Sequence, residues 1–248
     1  PLITLNAETV ETLLLRTLGA TTNEESRYAL NAINWEFGKK VKATATNGHY
    51  LVHAQHKAEA ISLTLLIPKK TCQEVLALSR ISDVLSIECD DLTKPSLVKF
   101  QSDNHEITSR LMNGQFPNYE LVIPKEKDLK KVEVPLDLLR PAVKRCLLMA
   151  DERTHCIALD MADNTLTLNS ASSDVGASSE SIAIQLPHDP VKISLNGSYF
   201  TEALSTMESE TLNLQFKDGN TQFLMREEVK LENDTTVSFW QIIMPMRA

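Results

Sequence analysis

The sequence has 248 residues, 42% of them apolar, and a formal net charge of −8. This composition supports a folded core and excludes an intrinsically disordered chain. It has no apolar run of transmembrane length and no signal peptide at its start, which indicates a cytoplasmic protein without membrane contact. The acidic balance argues against a protein coated in nucleic acid, but a chain average can conceal a local basic face. The four cysteines form no CxxC pair, so we expect reduced, structural thiols.

The first half of the sequence contains two predicted amphipathic helices. The first follows Asn6, a favourable N-cap residue, and is expected to end near Gly19. Its apolar residues recur at helical spacing along one face, namely Val10, Leu13, Leu14 and Leu18. The second begins near residue 70, and its corresponding face is formed by Cys72, Val75, Leu76 and Ser79.

The second half repeats this arrangement at an offset of about 128 residues. The third helix begins near residue 136, and its apolar face is formed by Leu139, Ala142, Val143 and Cys146. Pro141 in this helix is tolerated only near the helix start, where a missing N–H costs least. The fourth begins near residue 197, and its face is formed by Phe200, Ala203, Leu204 and Met207.

Short alternating segments lie between the helices and end at Asn-Gly, Asp-Gly or Asp-Asn turns, which is typical of antiparallel hairpins. They read YALNAINWEF, KVKATAT, YLVHAQ, LVKFQ, EITSRL, TLTLNS, SIAIQL, TLNLQF and TQFLMRE. A unit of strand, helix and strands therefore occurs four times, paired into two domains of an α+β fold. The charged segment Pro124–Lys131 lacks an apolar pattern, so we place the boundary there, with domains at 1–126 and 127–248.

The charges are distributed unevenly between the helices and the rest of the chain. The four predicted helices sum to +2, which leaves −10 for the remainder. On the third helix, Arg140 and Lys144 stand one turn apart, opposite the Leu139 and Val143 face. This arrangement suits either a solvated surface or a helix lying over phosphates. Any contact with nucleic acid is expected to be independent of base sequence and sensitive to salt.

The sequence shows no catalytic or metal-binding constellation. His49 and His53 are four residues apart in a segment that reads as turn and strand, where they stand too far apart to share a metal. No established catalytic or phosphate-binding motif occurs. We therefore expect a protein that is not an enzyme and has no cofactor. The rival hypothesis, an enzyme that uses His49, is tested by an activity screen with His49→Ala.

Three segments resemble the signature segments of bacterial β sliding clamps, the processivity rings of replicative DNA polymerases. They are ATNGHYLV (Ala45–Val52), RLMNGQFPNYELVIP (Arg110–Pro124) and the terminal IIMPMRA (Ile242–Ala248). The resemblance implies clamp-type domains, each a duplicated βαβββ unit with its helices on one side of antiparallel sheets. It extends over the whole chain but includes only the second and third domains of the family's three.

The same resemblance implies that the apolar C-terminal tail helps to bind short linear motifs of partner proteins, rather than only completing a core strand. The partners implied are the catalytic subunit of the polymerase, other proteins with Gln-Leu-x-Leu-Phe-like motifs, and the clamp loader. The implied pocket residues are Leu30, Thr46, Gly48, His49, Tyr50, Leu51, Pro117, Leu121, Val122, Ile242, Ile243, Met244, Pro245, Met246 and Arg247. Contact with double-stranded DNA is implied for Arg27, Tyr28, Lys69 and Lys70, to which the helix charges add Arg140 and Lys144.

Family subunits form head-to-tail ring dimers, and the third-domain side of that contact corresponds to Leu148 and Met149. Without a first domain we expect this chain to be a truncated piece and a monomer. Tyr50 and Leu121 stand where relatives often have arginine, and Thr154 where an aromatic residue can occur, so motif preference is expected to differ. The alternative function is a stand-alone peptide-binding adaptor without a closed ring, which the true start of the gene would distinguish.

Overall fold

The computed structural model describes residues 3–232 and 234–247, and Ala248 of the quoted terminal segment lies outside this part. Four α-helices occur in the described ranges: α1 (Ala7–Thr17), α2 (Lys69–Ser79), α3 (Leu136–Leu148) and α4 (Gly197–Ser205). The strands are β1 (Ile3–Asn6), β2 (Ala32–Phe37), β3 (Lys40–Thr46), β4 (Tyr50–Lys57), β5 (Leu63–Pro68), β6 (Val84–Cys89), β7 (Leu97–Gln101), β8 (Glu106–Arg110), β9 (Lys130–Pro135), β10 (Cys156–Ala162), β11 (Thr165–Ser172), β12 (Gly176–Ala183), β13 (Val191–Asn196), β14 (Thr211–Phe216), β15 (Phe223–Lys230) and β16 (Thr236–Ile243). The order βαβββ occurs four times, which confirms the predicted α+β fold with duplicated units.

The chain divides into two compact units. Unit 1 contains the described residues of Pro1–Asn118 and Glu228–Trp240, and unit 2 contains those of Tyr119–Glu227 and Gln241–Ala248. The boundary expected between residues 126 and 127 stays a prediction.

Within each unit the two βαβββ halves exchange their first strands. In unit 1, β1 joins the sheet β1-β6-β7-β8, while β5 joins the sheet β5-β2-β3-β4. In unit 2, β13 completes β12-β11-β10-β13, and β9 lies beside β14. Because each half supplies a strand to the other half's sheet, neither half has a complete sheet by itself.

Most residues of the predicted helix faces lie in the cores, whereas Leu18 and Leu76 are half-buried. Asn6 caps α1 by accepting a hydrogen bond from the amide of Glu8, and Val10, Leu13 and Leu14 of this helix are fully buried. Full burial of a side chain of this size contributes about 1.5 to 3 kcal/mol. The corresponding residues of α3 are also buried, including Cys146, and all four cysteines are unpaired. Helices α1 and α2 pack together in unit 1, as α3 and α4 do in unit 2.

Unit 1 also contains a hairpin from near the C-terminus, Glu228–Trp240. The Arg16 guanidinium of α1 lies 4.4 Å from the ring centroid of Phe239, a cation–π geometry. The ring of His53 stacks on Trp240 at 4.8 Å. These contacts join residues far apart in sequence, so the sequence pattern alone did not predict them.

Several predicted element ends differ from the structure. The segment before β2 forms a 3-10 helix, Glu25–Leu30, so the strand begins at Ala32 rather than Tyr28. Strand β12 ends at Ala183, so the second half of SIAIQL is not strand. Gly19 lies in a 3-10 helix, Leu18–Ala20, that continues α1. Pro141 is the sixth residue of α3, beyond the first turn, where its ring removes one donor from the helix.

Candidate functional site

The turn between β3 and β4 in unit 1 is held by Asn47. Its Oδ1 accepts hydrogen bonds from the amides of His49 (3.0 Å) and Tyr50 (2.9 Å). The Thr46 hydroxyl donates to the carbonyl of Tyr50 at 2.8 Å and accepts from the amide of Gly48 at 3.0 Å. Gly48 has φ +94°, a left-handed conformation that glycine adopts without strain. Asn47 was not among the predicted site residues, although the Asn-Gly pair signalled the turn.

The predicted pocket residues of unit 1 differ strongly in exposure. Gly48, His49 and Pro117 are exposed, whereas Leu30 and Leu51 are buried. Tyr50 is only 1% exposed. Tyr50 is therefore not presented at the surface of the turn, and its place in the pocket stays a prediction. The cause is that β4 is buried along Tyr50–Ala54 on both faces, which a simple turn-and-strand reading does not reveal.

Arg27 connects the predicted DNA-contact set with this turn. Its Nη1 donates to the carbonyl of Asn47 at 2.7 Å, and its Nε lies 3.3 Å from a carboxylate oxygen of Glu24. A Cβ added at Gly48 would lie 2.9 Å from the same Nη1. The guanidinium therefore stabilises the turn, and a side chain larger than that of Gly48 would displace it.

Three more predicted DNA-contact residues of unit 1 lie at the start of α2 and in the 3-10 helix Glu25–Leu30. Tyr28 is 58% exposed, and Lys70 is also exposed. The amide of Lys69 donates to the carbonyl of Asn31 at 2.8 Å, which joins the end of the 3-10 helix to the start of α2. The Lys69 ammonium donates to Asn23 Oδ1 at 3.0 Å. The structure thus brings these residues into one neighbourhood of unit 1.

The C-terminal tail of unit 2 both completes a strand and continues beyond it. Ile242 and Ile243 are buried at the end of β16, and the buried Gln241 amide donates to the carbonyl of Ala203 at 3.0 Å. Beyond the strand, Met244 is 37% exposed and the amide of Met246 donates to the carbonyl of Ser194 at 2.7 Å. The main chain of the tail is therefore fixed to unit 2, while part of its apolar surface stays accessible.

Other predicted pocket residues of unit 2 are also accessible. Pro245 and Met246 are half-buried and Arg247 is exposed. Leu121 is 81% exposed in the 3-10 helix Tyr119–Val122, whose last residue is half-buried. A leucine this exposed is available for an apolar contact.

Arg140 and Lys144 have different surroundings, although they stand one turn apart on α3. The Arg140 guanidinium donates to the carbonyl of Leu204 at 3.0 and 3.2 Å and to that of Met207 at 2.7 Å. It thus caps the C-terminal end of α4, where a cation is favourable to the helix dipole. Lys144 is exposed. The carbonyl partners are 64 and 67 residues away in sequence, so the spacing of charges on α3 gave no sign of them.

The residues predicted for a ring contact lie at the end of α3. Leu148 is 77% exposed, whereas Met149 is half-buried. Nearby in the helix, Arg145 forms a bidentate ion pair with Glu180 at 2.7 and 2.9 Å. Thr154 lies in the following turn, where Asp151 accepts hydrogen bonds from its amide and hydroxyl.

The two histidines of the GHYLVH segment have separate environments. His49 is exposed on the turn, whereas His53 is 4% exposed and its Nδ1 lies 2.9 Å from the Thr44 hydroxyl. Burial, assisted by the Lys42 ammonium, lowers the pKa of His53 to about 4. The residues that the structure describes contain no group of three or more His, Cys, Asp or Glu side chains arranged to hold a metal ion. In the same part of the chain, no helix is long and apolar enough to span a membrane.

Comparison with known proteins identifies relatives along nearly the whole chain. Residues 4–118 match the family described as DNA polymerase III beta subunit, central domain, and residues 120–247 match its C-terminal domain. The beta sliding clamp of Vibrio cholerae is 24% identical over 251 residues, which cover 99% of this chain and 65% of that protein. That of Caulobacter vibrioides is 26% identical over 243 residues, which cover 95% of this chain and 63% of the relative.

Solved structures agree with this fold. A DNA polymerase sliding clamp from Pseudomonas aeruginosa superimposes with a TM-score of 0.87 at 24% identity, over 99% of this chain and 66% of that one. The DNA polymerase III beta subunit from Thermotoga maritima gives 0.87 at 21% identity, over 99% and 65%. This chain thus spans about 65% of the length of these relatives. The two family matches together extend from residue 4 to residue 247, and the chain therefore belongs to the DNA polymerase III beta subunit family, in which it matches the central and C-terminal domains.

Proposed function

We propose that this chain acts in DNA replication as part of a sliding clamp, a processivity factor that tethers a DNA polymerase to double-stranded DNA. The observation that carries the proposal is the match of residues 4–118 and 120–247 to the central and C-terminal domains of the beta subunit family. In this role the protein performs no reaction and needs no cofactor, because a ring retains its partner by topology. The cytoplasm is the compartment in which it acts.

Partner proteins are proposed to bind through short motifs of the Gln-Leu-x-Leu-Phe kind. In unit 1, the turn Thr46–Leu51 belongs to the predicted residue set and is rigid because Asn47 and Thr46 bond its main chain. In unit 2, the predicted set includes the exposed Leu121 and the tail Met244–Arg247, whose main chain is fixed at Met246. Exposed apolar side chains on a fixed main chain suit an apolar peptide, because little conformational entropy is lost on binding. Thioethers adapt to ligands of different shape, which suits several partners.

DNA contact is proposed for Tyr28, Lys69, Lys70 and Lys144, whose side chains are exposed or half-buried. Arg27 and Arg140 act mainly as supports, because their guanidinium groups already bond main-chain carbonyls. Such contacts neutralise phosphates without reading bases, so the affinity is expected to fall steeply with salt.

For the whole protein we propose a ring homodimer that is opened by a clamp loader. Leu148 and Met149 contribute to the subunit contact, and the present chain is expected to sediment as a monomer. The chain has a mass of 27.7 kDa, and a single sedimenting species at twice that mass contradicts the expectation.

The peptide-binding proposal is tested by fluorescence anisotropy with a labelled peptide of the Gln-Leu-x-Leu-Phe kind. The native chain is expected to bind saturably, and Met244→Glu and Leu121→Glu are expected to weaken binding at least about tenfold, the effect of about 1.4 kcal/mol. Leu148→Glu is the matched control, because it places the same charge on an equally exposed leucine outside the proposed site.

A related clamp from Pseudomonas aeruginosa, 23% identical to this chain, has been solved bound to griselimycin. Griselimycin is therefore a useful competitor, and it is expected to displace the labelled peptide from the native chain. Absence of saturable binding by well-folded protein, or equal weakening by Leu148→Glu, contradicts the proposed site.

A further inference from the structure

The chain contains three Asn-Gly pairs, at residues 47–48, 113–114 and 196–197. Asn-Gly is the dipeptide most open to intramolecular attack on the asparagine side chain, since glycine places no Cβ beside the attacking nitrogen. That attack requires the glycine amide nitrogen and the asparagine Cγ to reach a near-attack geometry. The three pairs are therefore chemically equal, and their surroundings decide which of them reacts.

The pair at Asn47 is held away from this geometry. Its Oδ1 accepts two main-chain hydrogen bonds, from His49 and Tyr50. The amide of Gly48, which would have to attack, donates to the Thr46 hydroxyl at 3.0 Å. Both reacting groups must break hydrogen bonds before they can meet.

The pair at Asn196 is held in the same way at the start of α4. Its Oδ1 accepts from the amides of Ser198 (2.9 Å) and Tyr199 (3.2 Å), and its Nδ2 donates to the carbonyl of Thr154 at 3.2 Å. The amide of Gly197 donates to the carbonyl of His155 at 2.7 Å. This pair is a helix cap and is engaged at both reacting groups.

Asn113 and Gly114 differ on each of these points. Both residues are exposed, in the segment that follows β8. Neither forms a hydrogen bond with the part of the chain that the structure describes. Gly114 has φ +131°, and the nearest heavy atom to a Cβ built there is the Cβ of Ala29, at 3.7 Å. The side chain and the amide of this pair are thus both available for reaction.

We propose that Asn113 is a site of spontaneous deamidation, and that it reacts in preference to Asn47 and Asn196. Hydroxide removes the proton of the Gly114 amide, and the nitrogen attacks Cγ of Asn113. The bond between Cγ and the side-chain nitrogen breaks as that nitrogen takes a proton from water, so that ammonia leaves, hydroxide is regenerated and a succinimide ring closes. One water molecule then opens the ring at either carbonyl, which gives aspartate or isoaspartate at this position. The only co-reactant is water.

The isoaspartate product changes the backbone as well as the charge. It adds one methylene to the main chain between Met112 and Gly114. The amide of Met112 donates to the carbonyl of Leu66 at 2.9 Å, and Gly114 lies beside Ala29, so both neighbours of the altered residue have fixed surroundings. Ala29 stands between Tyr28 and Leu30, a proposed DNA contact and a proposed pocket residue. On the proposed function, the isoaspartate form is therefore expected to bind the motif peptide more weakly, whereas a plain aspartate keeps the backbone unchanged.

The site is tested by ageing the native chain in mildly alkaline buffer and mapping the products by proteolysis and mass spectrometry. The peptide with Asn113 is expected to convert at least about ten times faster than those with Asn47 and Asn196, because two or more hydrogen bonds protect each of the latter. Two products, aspartate and isoaspartate, are expected at residue 113. Conversion at Asn47 or Asn196 at the same rate overturns the proposal, as does an unchanged Asn113.

The consequence is tested by peptide anisotropy on fresh and aged protein, with Asn113→Gln as the matched control and Asn113→Asp as the variant without a backbone change. Aged native chain is expected to lose binding in proportion to its isoaspartate content, while aged Asn113→Gln and fresh Asn113→Asp keep it. Equal binding by fully converted protein overturns the consequence. Failure of the fresh native chain to bind contradicts the proposed function instead, and leaves the mapped site of modification intact.

Discussion

Acid is expected to destabilise unit 1 through one buried side chain, His53. Its ring is 4% exposed, hydrogen-bonded to Thr44 and stacked on Trp240. Burial and the nearby Lys42 and Lys40 ammonium groups lower the pKa of His53 to about 4, against the smaller opposing effects of Gln55 and Glu36. In the unfolded chain the same group titrates near its ordinary value of 6.5.

The sign and size follow from proton linkage. Between pH 6.5 and 4 the unfolded chain binds a proton at this position and the folded chain does not, so the free energy of unfolding decreases as the pH falls. One pKa unit corresponds to 1.36 kcal/mol, so the full loss is about 3 kcal/mol, of which about 2 kcal/mol is reached at pH 5. Above pH 6.5 the group is neutral in both states and contributes no pH dependence.

Urea denaturation followed by tryptophan fluorescence measures this loss, because both tryptophans, Trp35 and Trp240, belong to unit 1. Between pH 7 and pH 5, the native chain is expected to lose about 2 kcal/mol more unfolding free energy than His53→Gln. The exposed His49→Gln variant is the control and is expected to follow the native chain. The same pH dependence in His53→Gln and the native chain would refute the reasoning.

Three further predictions follow from individual contacts. Gly48→Ala is expected to lower the unfolding free energy in urea by about 1 to 2 kcal/mol, because φ is +94° and the new Cβ would lie 2.9 Å from Arg27 Nη1; unchanged stability contradicts this. Arg140→Met is expected to lower the unfolding free energy by about 1 to 3 kcal/mol, because the carbonyls of Leu204 and Met207 at the end of α4 each lose a charged donor. Lys144→Met, its control on the same helix, is expected to stay within about 0.5 kcal/mol, and equal losses would contradict the assignment. Lys70→Ala is expected to reduce the slope of log affinity for duplex DNA against log salt by about 1, and an unchanged slope would exclude a phosphate contact.

Local periodicity predicted the helices well because each helix buries a face that its own residues define. Of the α1 stripe that was identified from spacing alone, Val10, Leu13 and Leu14 are fully buried, whereas Leu18 lies just beyond the helix and is half-buried. The fourfold βαβββ order was likewise readable, since turns and alternation are local signals.

The exchange of first strands between halves depends on pairing over long sequence distances. Ile3 pairs with Ile87 and Ala32 with Pro68, and the residues next to each position in the sequence give no signal of either pairing. The same reason explains why the hairpin Glu228–Trp240 was not predicted to belong to unit 1. Non-local pairing is fixed by the complete fold rather than by the segment itself.

The candidate site was predictable as a set of residues but not as a set of roles. The sequence marked Tyr50 and Arg140 by their position in a motif and on a helix face. In the structure Tyr50 is buried, and the guanidinium of Arg140 already donates hydrogen bonds to main-chain carbonyls. Burial and hydrogen bonding depend on partners that lie outside the segment itself. Leu121 and Met244 are exposed, so their predicted availability to a ligand did not depend on such partners.

The most direct test of the central claim is to locate a bound partner motif by photo-crosslinking. A peptide of the Gln-Leu-x-Leu-Phe kind, with a benzophenone side chain in place of its final phenylalanine, is irradiated with the native chain, and the crosslinked residues are mapped by mass spectrometry. We predict crosslinks in the tail Met244–Arg247, at Leu121 or in the turn Thr46–Leu51, and their loss when unlabelled peptide is present in excess. Crosslinks confined to other segments, such as the surface of β10–β12, would contradict the proposal that these residues recognise polymerase motifs.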